Sequence, residues 1–332
     1  MQKRVLGQSG IEASVVGLGA WAMGGWMWGG TDEKVSIGAI QAAIDAGINL
    51  IDTAPIYGFG VSEEIVGKAI RDRRESVVLA TKCSMVCNPT VGEPKFRSNA
   101  QGPDPNGVIN IRINLKPDSI RRELEDSLKR LQTNHVDLYQ THWQESTTPI
   151  EDTMGALEEL RGEGKIRAIG VCNATTEHMK QYAAAGQLDS DQERYSMLER
   201  GLETEQLPYC LENDVAVLAY SPLALGLLTG RIGPNRRFAM GDLRNEHPSF
   251  TEDNRRRVAD LLDKFKPIAE RHQATIAQLV IAWTVHQPGL THALCGARTV
   301  QQAEENAAAG RIQLSADEVQ TMSKAIAASD AR

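Results

Sequence analysis

Ile48-Asn49-Leu50-Ile51-Asp52-Thr53-Ala54-Pro55-Ile56-Tyr57-Gly58 opens as a short apolar run and ends in an acid, a proline turn and a tyrosine before glycine. The apolar half suits a buried parallel strand. A carboxylate at the end of such a strand is costly unless something pairs with it. Two later runs have the same design. Val77-Val78-Leu79-Ala80-Thr81 ends in Lys82, and Val136-Asp137-Leu138-Tyr139-Gln140-Thr141 ends in His142. Three strand ends thus present Asp52 with Tyr57, then Lys82, then His142, and these four are expected to form one catalytic site.

Working outward, strand and helix signals alternate. Residues 3–15 read as a hairpin turning at Gly7, Ser9 and Gly10, and 15–18 as a strand. Thr31 is the expected cap of a helix bearing Ile37, Ile40 and Ile44 and stopped by Gly47. A helix over 62–73 separates the strands 48–51 and 77–81. Pro117 opens another, with Ile120, Leu124, Leu128 and Leu131 on one face. Strand 136–141, helix 150–163, strand 166–171, helix 175–185, a weak strand near 188–193, helix 203–213 and strand 215–220 follow. Helices at 252–272 and 275–286, a strand at 290–295 and two final helices complete the order. Short links and right-handed crossovers make this an α/β chain, a (β/α)8 TIM barrel with an N-terminal β-hairpin and long loops at its C-terminal face, in one domain over 1–332. The loops are 83–116, with its Pro, Gly and Asn, and 221–250. The first leaves the strand carrying Lys82, so it is expected as a structureless segment hanging over the site. Asn88, Asn99 and Gln101 would add polar groups there. Its alternative is a passive insertion.

With 332 residues and 41% hydrophobic content, the chain can bury a large core. A net charge of −7 argues against nucleic acid or an anionic membrane as partner. No apolar run reaches membrane-spanning length, and the segment Met1–Leu6 lacks a signal-peptide core. Cys83, Cys87, Cys172, Cys210 and Cys295 are odd in number and scattered, as for reduced thiols in a cytoplasm. No zinc set accompanies Cys83 and Cys87, so no metal is expected. A monomer is the default.

The chemistry of the four is acid catalysis. A phenol is a weak acid, and a nearby ammonium favours its phenolate; Asp52 would hold Lys82 charged, and His142 can share a proton with a bound oxygen. A proton donor reduces nothing alone, so a hydride source is needed. Asn173, after Cys172, and Gln192 lie at neighbouring strand ends and could hold a carboxamide. Tyr220, before Ser221, can stack on a flat ring. Gly296-Ala297-Arg298 precedes a helix, as at phosphate sites. Each piece alone is more often structural; their shared placement on one barrel face points to a nicotinamide nucleotide. Trp21, Trp26 and Trp28, in a glycine-rich loop without helical period, suit an apolar wall over a ligand; the bland alternative is a lid packed on itself.

These residues resemble the aldo-keto reductases over nearly the whole chain, and most the bacterial general-stress-type and potassium-channel β-subunit branch. The matching blocks are 49–57 with its Asp-x4-Tyr, 80–82, 137–143, 164–171, 219–223 and 296–306. The resemblance implies that Tyr57 donates the proton, Lys82 paired with Asp52 lowers its pKa, and His142 orients the carbonyl. It implies a cofactor held by Ala20, Trp21, Asp52, Cys172, Asn173, Gln192, Tyr220 and Ser221. Leu223, Leu225, Gly226, Leu228 and Arg231 would flank the pyrophosphate. Gly296, Arg298, Gln302, Glu305 and Asn306 would hold the adenosine end. Trp21, Trp26, Trp28, Tyr57, His142 and Trp143 would line the substrate pocket. Many members have Ser at Cys172, and other branches an Arg at Gln302, which leaves Arg298 as the main 2′-phosphate partner. NADP(H) is favoured, with NAD(H) as the alternative.

The expected activity is reversible reduction of small carbonyls, glyceraldehyde first. Two alternatives are a slow, nucleotide-binding sensing subunit and a reductase of phosphorylated sugar aldehydes using Lys95, Arg97 or Arg112. The channel-associated branch commonly has Asn where this chain has His142, which favours the enzyme.

Overall fold

In a computed structural model the chain is described over residues 1–87, 90–98 and 109–332. Asn88, Asn99 and Gln101 lie outside the described residues. An antiparallel hairpin comes first, β1 (Lys3–Val5) with β2 (Glu12–Ser14), Lys3 opposite Ser14. There follow β3 (Val16–Gly19), α1 (Glu33–Asp45), β4 (Leu50–Asp52), α2 (Val61–Ile70) and β5 (Val78–Cys83). Three short strands come next, β6 (Met85–Cys87), β7 (Glu93–Ser98) and β8 (Ile109–Ile113). The alternation resumes with α3 (Pro117–Leu131), β9 (Val136–Thr141), α4 (Ile150–Gly162), β10 (Ile166–Cys172) and α5 (Thr176–Ala185). After β11 (Ser190–Arg194), α6 (Gln206–Glu212) and β12 (Ala216–Tyr220) come α7 (Glu252–Asp263), α8 (Lys266–Arg271) and α9 (Ile276–Val285). β13 (Leu290–Gly296), α10 (Val300–Ala309) and α11 (Ala316–Ala327) are last.

The strands β3, β4, β5, β9, β10, β11, β12 and β13 pair in parallel in that order, and β13 returns to β3 with Gly296 opposite Gly19. The chain is a closed (β/α)8 barrel with an N-terminal hairpin, as its alternation predicts. Period-2 side-chain alternation divides the core. Leu50, Val78, Ala80, Leu138, Ala168, Ala216, Leu218 and Leu294 fill the barrel. Neighbours such as Ile51, Leu79, Tyr139, Ile169 and Val217 face the helices. Leu6, Ile11 and Ala13 of the hairpin join the inner cluster. The hairpin turn at Gly7 packs against the Asp189 and Asp214 carbonyls, just before β11 and β12, so it plugs the N-terminal end of the barrel. The C-terminal end is left for the site.

Three local expectations need correction. The cap of α1 is Asp32, not Thr31: its carboxylate accepts from the Val35 N–H, while Thr31 contacts the Ser36 hydroxyl. The stretch 252–272 is two helices, α7 and α8, because Pro267 has no N–H to continue the ladder and Phe265 is buried at the break. The segment 83–116 does hang over the site, but its described part is an antiparallel sheet in the order β6-β8-β7. Phe96 of that sheet stacks on Trp26 at 6.3 Å, and Arg112 donates to the Gly92 carbonyl.

Candidate active site

Asp52 is the last residue of β4, and its register against Ala80 of β5 sets Lys82 two residues further along, so both reach the C-terminal mouth. Lys82 Nζ donates to Asp52 Oδ1 and Oδ2 at 2.7 and 2.8 Å, to the Thr53 carbonyl at 2.9 Å, and to Tyr57 Oη at 3.2 Å. Lys82 is fully buried and Asp52 nearly so. Burial alone lowers the lysine pKa, but the Asp52 carboxylate, and then Tyr57, outweigh it and hold the ammonium above its ordinary range.

Tyr57 sits on the turn after β4, fixed by close backbone packing. A Cβ on Gly24 would come within 2.4 Å of the Tyr57 carbonyl, and one on Gly58 within 2.1 Å of the Gly24 carbonyl. Gly58 also has φ +68, which favours glycine. The Tyr57 phenol is pushed up to about 12, by burial against the opposing pull of Lys82. The expected lowering by Lys82 is real in sign but loses to desolvation, so Tyr57 is a fully protonated acid at neutral pH. The His142 ring stands edge-on to Tyr57, centroids 5.7 Å apart. Burial, then the charges of Lys82 and Lys95, hold it well below the ordinary histidine range, so it is neutral.

These groups open into a cavity of about 740 Å³, within the size range of small-molecule sites. It is lined by Trp21, Trp26, Trp28, Asp52, Tyr57, His142, Trp143, Asn173, Gln192, Tyr220 and Ser221. Leu223, Leu225, Gly226, Arg231, Gly296, Arg298, Gln302, Glu305 and Asn306 also line it. Three expected cofactor contacts do not. Ala20 is buried, its carbonyl accepting from Ser62 Oγ, and Leu228 is core. The Cys172 side chain is buried.

Asn173, at φ +53, donates from Nδ2 to the His142 carbonyl at 2.9 Å and accepts at Oδ1 from Tyr220 Oη at 2.9 Å. Ser221, Ala224 and Leu225 share that backbone region, uncommon for non-glycine residues. Gln192 Nε2 donates to Asp52 Oδ2 at 2.9 Å and to Gln140 Oε1 at 3.3 Å. Glu193, one residue on, accepts from the Ala174 N–H at 2.7 Å and so braces the Asn173 turn.

Sequence reasoning missed Phe96, Met85, Arg236, Phe238 and Arg244, all of which line the cavity. The arginines had a signal, since Arg231, Arg236, Arg237 and Arg244 crowd the second long loop. Two carboxylates at that end are already paired, Glu305 with Arg231 and Asp242 with Arg244, which leaves Arg236 and Arg298 as surplus positive charge. A cavity lined by an acid centre, an amide pair, an aromatic and surplus arginines fits a dinucleotide.

The family model described as "Aldo/keto reductase family" matches residues 15–327. The chain belongs to the aldo-keto reductases. This reductase is 42% identical over 321 residues to the NADH-specific methylglyoxal reductase of Escherichia coli (strain K12), covering 95% of each chain. Its fold overlays the glycerol dehydrogenase AKR11B4 from Gluconobacter oxydans with a TM-score of 0.86 at 35% identity, covering 99% of this chain and 96% of the other. It also matches an aldo/keto reductase from Klebsiella pneumoniae in complex with NADP and acetate, with a TM-score of 0.69 at 30% identity and coverage of 98% and 95%. The chain is therefore an oxidoreductase with a nicotinamide-nucleotide cofactor. Among the described residues no helix is long and apolar enough to cross a membrane.

Proposed function

We propose that this reductase converts short polar aldehydes and ketones to alcohols with NADP(H), and oxidises the alcohols when the oxidised cofactor is plentiful. The observation that carries this is the buried chain Asp52–Lys82–Tyr57, with Lys82 Nζ 3.2 Å from the phenolic oxygen at the wall of the cavity. When bound, the nicotinamide supplies the hydride. Tyr57 gives its proton to the carbonyl oxygen, and Lys82 stabilises the phenolate left behind. Asp52 keeps Lys82 charged and aimed. Neutral His142 donates a hydrogen bond to the same oxygen and so orients the carbonyl. Positioned acid catalysis of this kind is worth ~10²–10⁴-fold.

Asn173 and Gln192 would hold the carboxamide, and Tyr220 would lie against the ring. The surplus positive charge of Arg236 and Arg298 favours NADP(H); the NADH-specific relative keeps NAD(H) as the competing choice. Around Tyr57 the wall is Trp21, Trp26, Trp28 and Trp143 with Met85 and Phe96, which favours a small substrate. The relatives named for methylglyoxal and glycerol support glyceraldehyde as the first to test. The five cysteines are free thiols, four of them buried, in keeping with a reducing cytoplasm.

The test is loss of reduced-nicotinamide absorbance with glyceraldehyde, using NADPH, NADH and Tyr57→Phe. Turnover that prefers NADPH and disappears in Tyr57→Phe, with nucleotide binding intact, is expected. Tight nucleotide binding with no turnover over a broad carbonyl panel would instead point to a sensing role.

A further inference from the structure

Arg298 is placed between the adenosine end of the cavity and the tryptophan wall. Its guanidinium donates to the Trp28 carbonyl at 3.0 Å and to the Gly30 carbonyl at 2.7 Å. Its backbone N–H is fixed by Gln302 Oε1 at 2.7 Å. Trp28 is also bridged to Asp242, the Leu243 N–H donates to the Met27 carbonyl, and Arg244 lies over the Trp28 ring at 5.2 Å. The loop carrying Trp28 and the loop carrying Asp242 are thus clasped together, with Arg298 beneath the clasp. Trp28 stands edge-on to Trp21 at 5.2 Å, and Trp21 faces Tyr57 at 6.4 Å. A continuous set of contacts runs from the guanidinium to the proton donor.

From this geometry we infer that Arg298 is a positioning residue for the substrate wall, so that a phosphate at the adenosine end and a carbonyl beside Tyr57 are sensed through one side chain. The inference rests on the reductase reading and adds to it. A guanidinium has five N–H donors in a fixed fork. Two serve the loop carbonyls, so three remain for phosphate oxygens, and both sets can be satisfied at once. A phosphate held there orients Arg298, Arg298 orients Trp28, and Trp28 shapes the wall. Linkage makes the coupling reciprocal: a carbonyl substrate that needs the formed wall tightens NADPH more than NADH.

Arg298→Ala and Arg298→Lys are the variants. A role in reading the 2′-phosphate alone changes only the KM for NADPH. The positioning role also raises the carbonyl KM with NADH, a cofactor that has no 2′-phosphate, by at least roughly tenfold, the low end for a single lost charge-assisted bond, with kcat less affected. Lysine, a single point donor, should restore NADPH binding in part but not the carbonyl KM. Hydrogen exchange without nucleotide reads the clasp independently of turnover: in Arg298→Ala, residues 25–31 and 239–245 should exchange faster together while the melting temperature holds. An unchanged carbonyl KM with NADH, or unchanged exchange in those two segments, overturns the inference. If the native protein reduces no carbonyl, the reductase reading fails and the exchange result still decides the clasp.

Discussion

Asp52→Asn removes the counter-ion of a lysine that has no exposed surface. Lys82 then has two courses. It can stay charged in a buried site with only neutral partners, at a cost typical of a broken buried pair, about 3–5 kcal/mol. Or it can lose its proton, which sets a ceiling. Deprotonating a group whose ordinary pKa is about 10.4 costs about 1.36 kcal/mol per pH unit, so roughly 4.6 kcal/mol at pH ~7 and roughly 1.9 kcal/mol at pH ~9. In the variant the folded-state pKa of Lys82 lies below its unfolded value, so the unfolded chain binds more protons and stability rises with pH. In the native protein Lys82 is held above its ordinary value, so its contribution stays constant until the pH passes that value. The difference between the two proteins must therefore narrow on going from pH ~7 to ~9. Urea unfolding followed by circular dichroism at both pH values measures it. Adding Lys82→Met should recover most of the loss, since the orphaned charge goes with it. A loss below about 1 kcal/mol, or one equal at both pH values, would refute the claim that Asp52 is what keeps Lys82 charged.

Two further outcomes concern pH. With Tyr57 protonated up to about 12 and His142 neutral far below 6.5, neither group changes state near neutrality. The carbonyl-reduction kcat should be flat from pH ~6 to ~9, while alcohol oxidation, which needs the phenolate, should climb with pH; a bell centred near neutrality in the reductive direction would displace one of them from its role. Glu193 is raised from 4.5 to about 7, chiefly by burial. The stability present below its ordinary value is therefore lost as pH rises through about 7. Glu193→Gln keeps an acceptor for the Ala174 N–H, so its melting temperature relative to native should be higher at pH ~8 than at pH ~5. An offset identical at both values would show that Glu193 does not carry that penalty.

What could be read from the chain was what depends on neighbours in sequence. Asp52, Lys82 and His142 each end an apolar run, and strand ends of a parallel barrel all arrive at one face. The α3 stripe of Ile120, Leu124, Leu128 and Leu131 and its Pro117 start follow helical spacing and are found as expected. Phe96 was invisible because its partner, Trp26, is 70 residues away and the strand that presents it lies inside a long loop. The break at Phe265 is announced by Pro267, a signal that the amphipathic pattern on either side conceals. The pKa of Tyr57 could be anticipated in its causes but not in its balance, since sequence names the lysine and not the burial. Leu228 shows the limit of reading a loop by its neighbours: the fold turns its side chain into the core.

The acid centre and the proposed cofactor grip share one carboxylate. Gln192 directs its amide nitrogen at Asp52 Oδ2 and Gln140 Oε1, so both its hydrogens are engaged and its carbonyl oxygen is the group left for a ligand. Asn173 uses one hydrogen on His142 and one lone pair on Tyr220, so it keeps one of each. A carboxamide between them can give an N–H to Gln192 and accept from Asn173, and the reverse arrangement is closed because Gln192 has no hydrogen left to donate. Asp52 thereby fixes the polarity of the amide pair as well as the charge of Lys82. Its replacement by alanine removes the acceptor of that Gln192 hydrogen and frees the amide to turn its nitrogen toward the cavity. Asp52→Ala should therefore weaken nicotinamide binding as well as break the buried ion pair, whereas Tyr57→Phe, which leaves this network intact, should not.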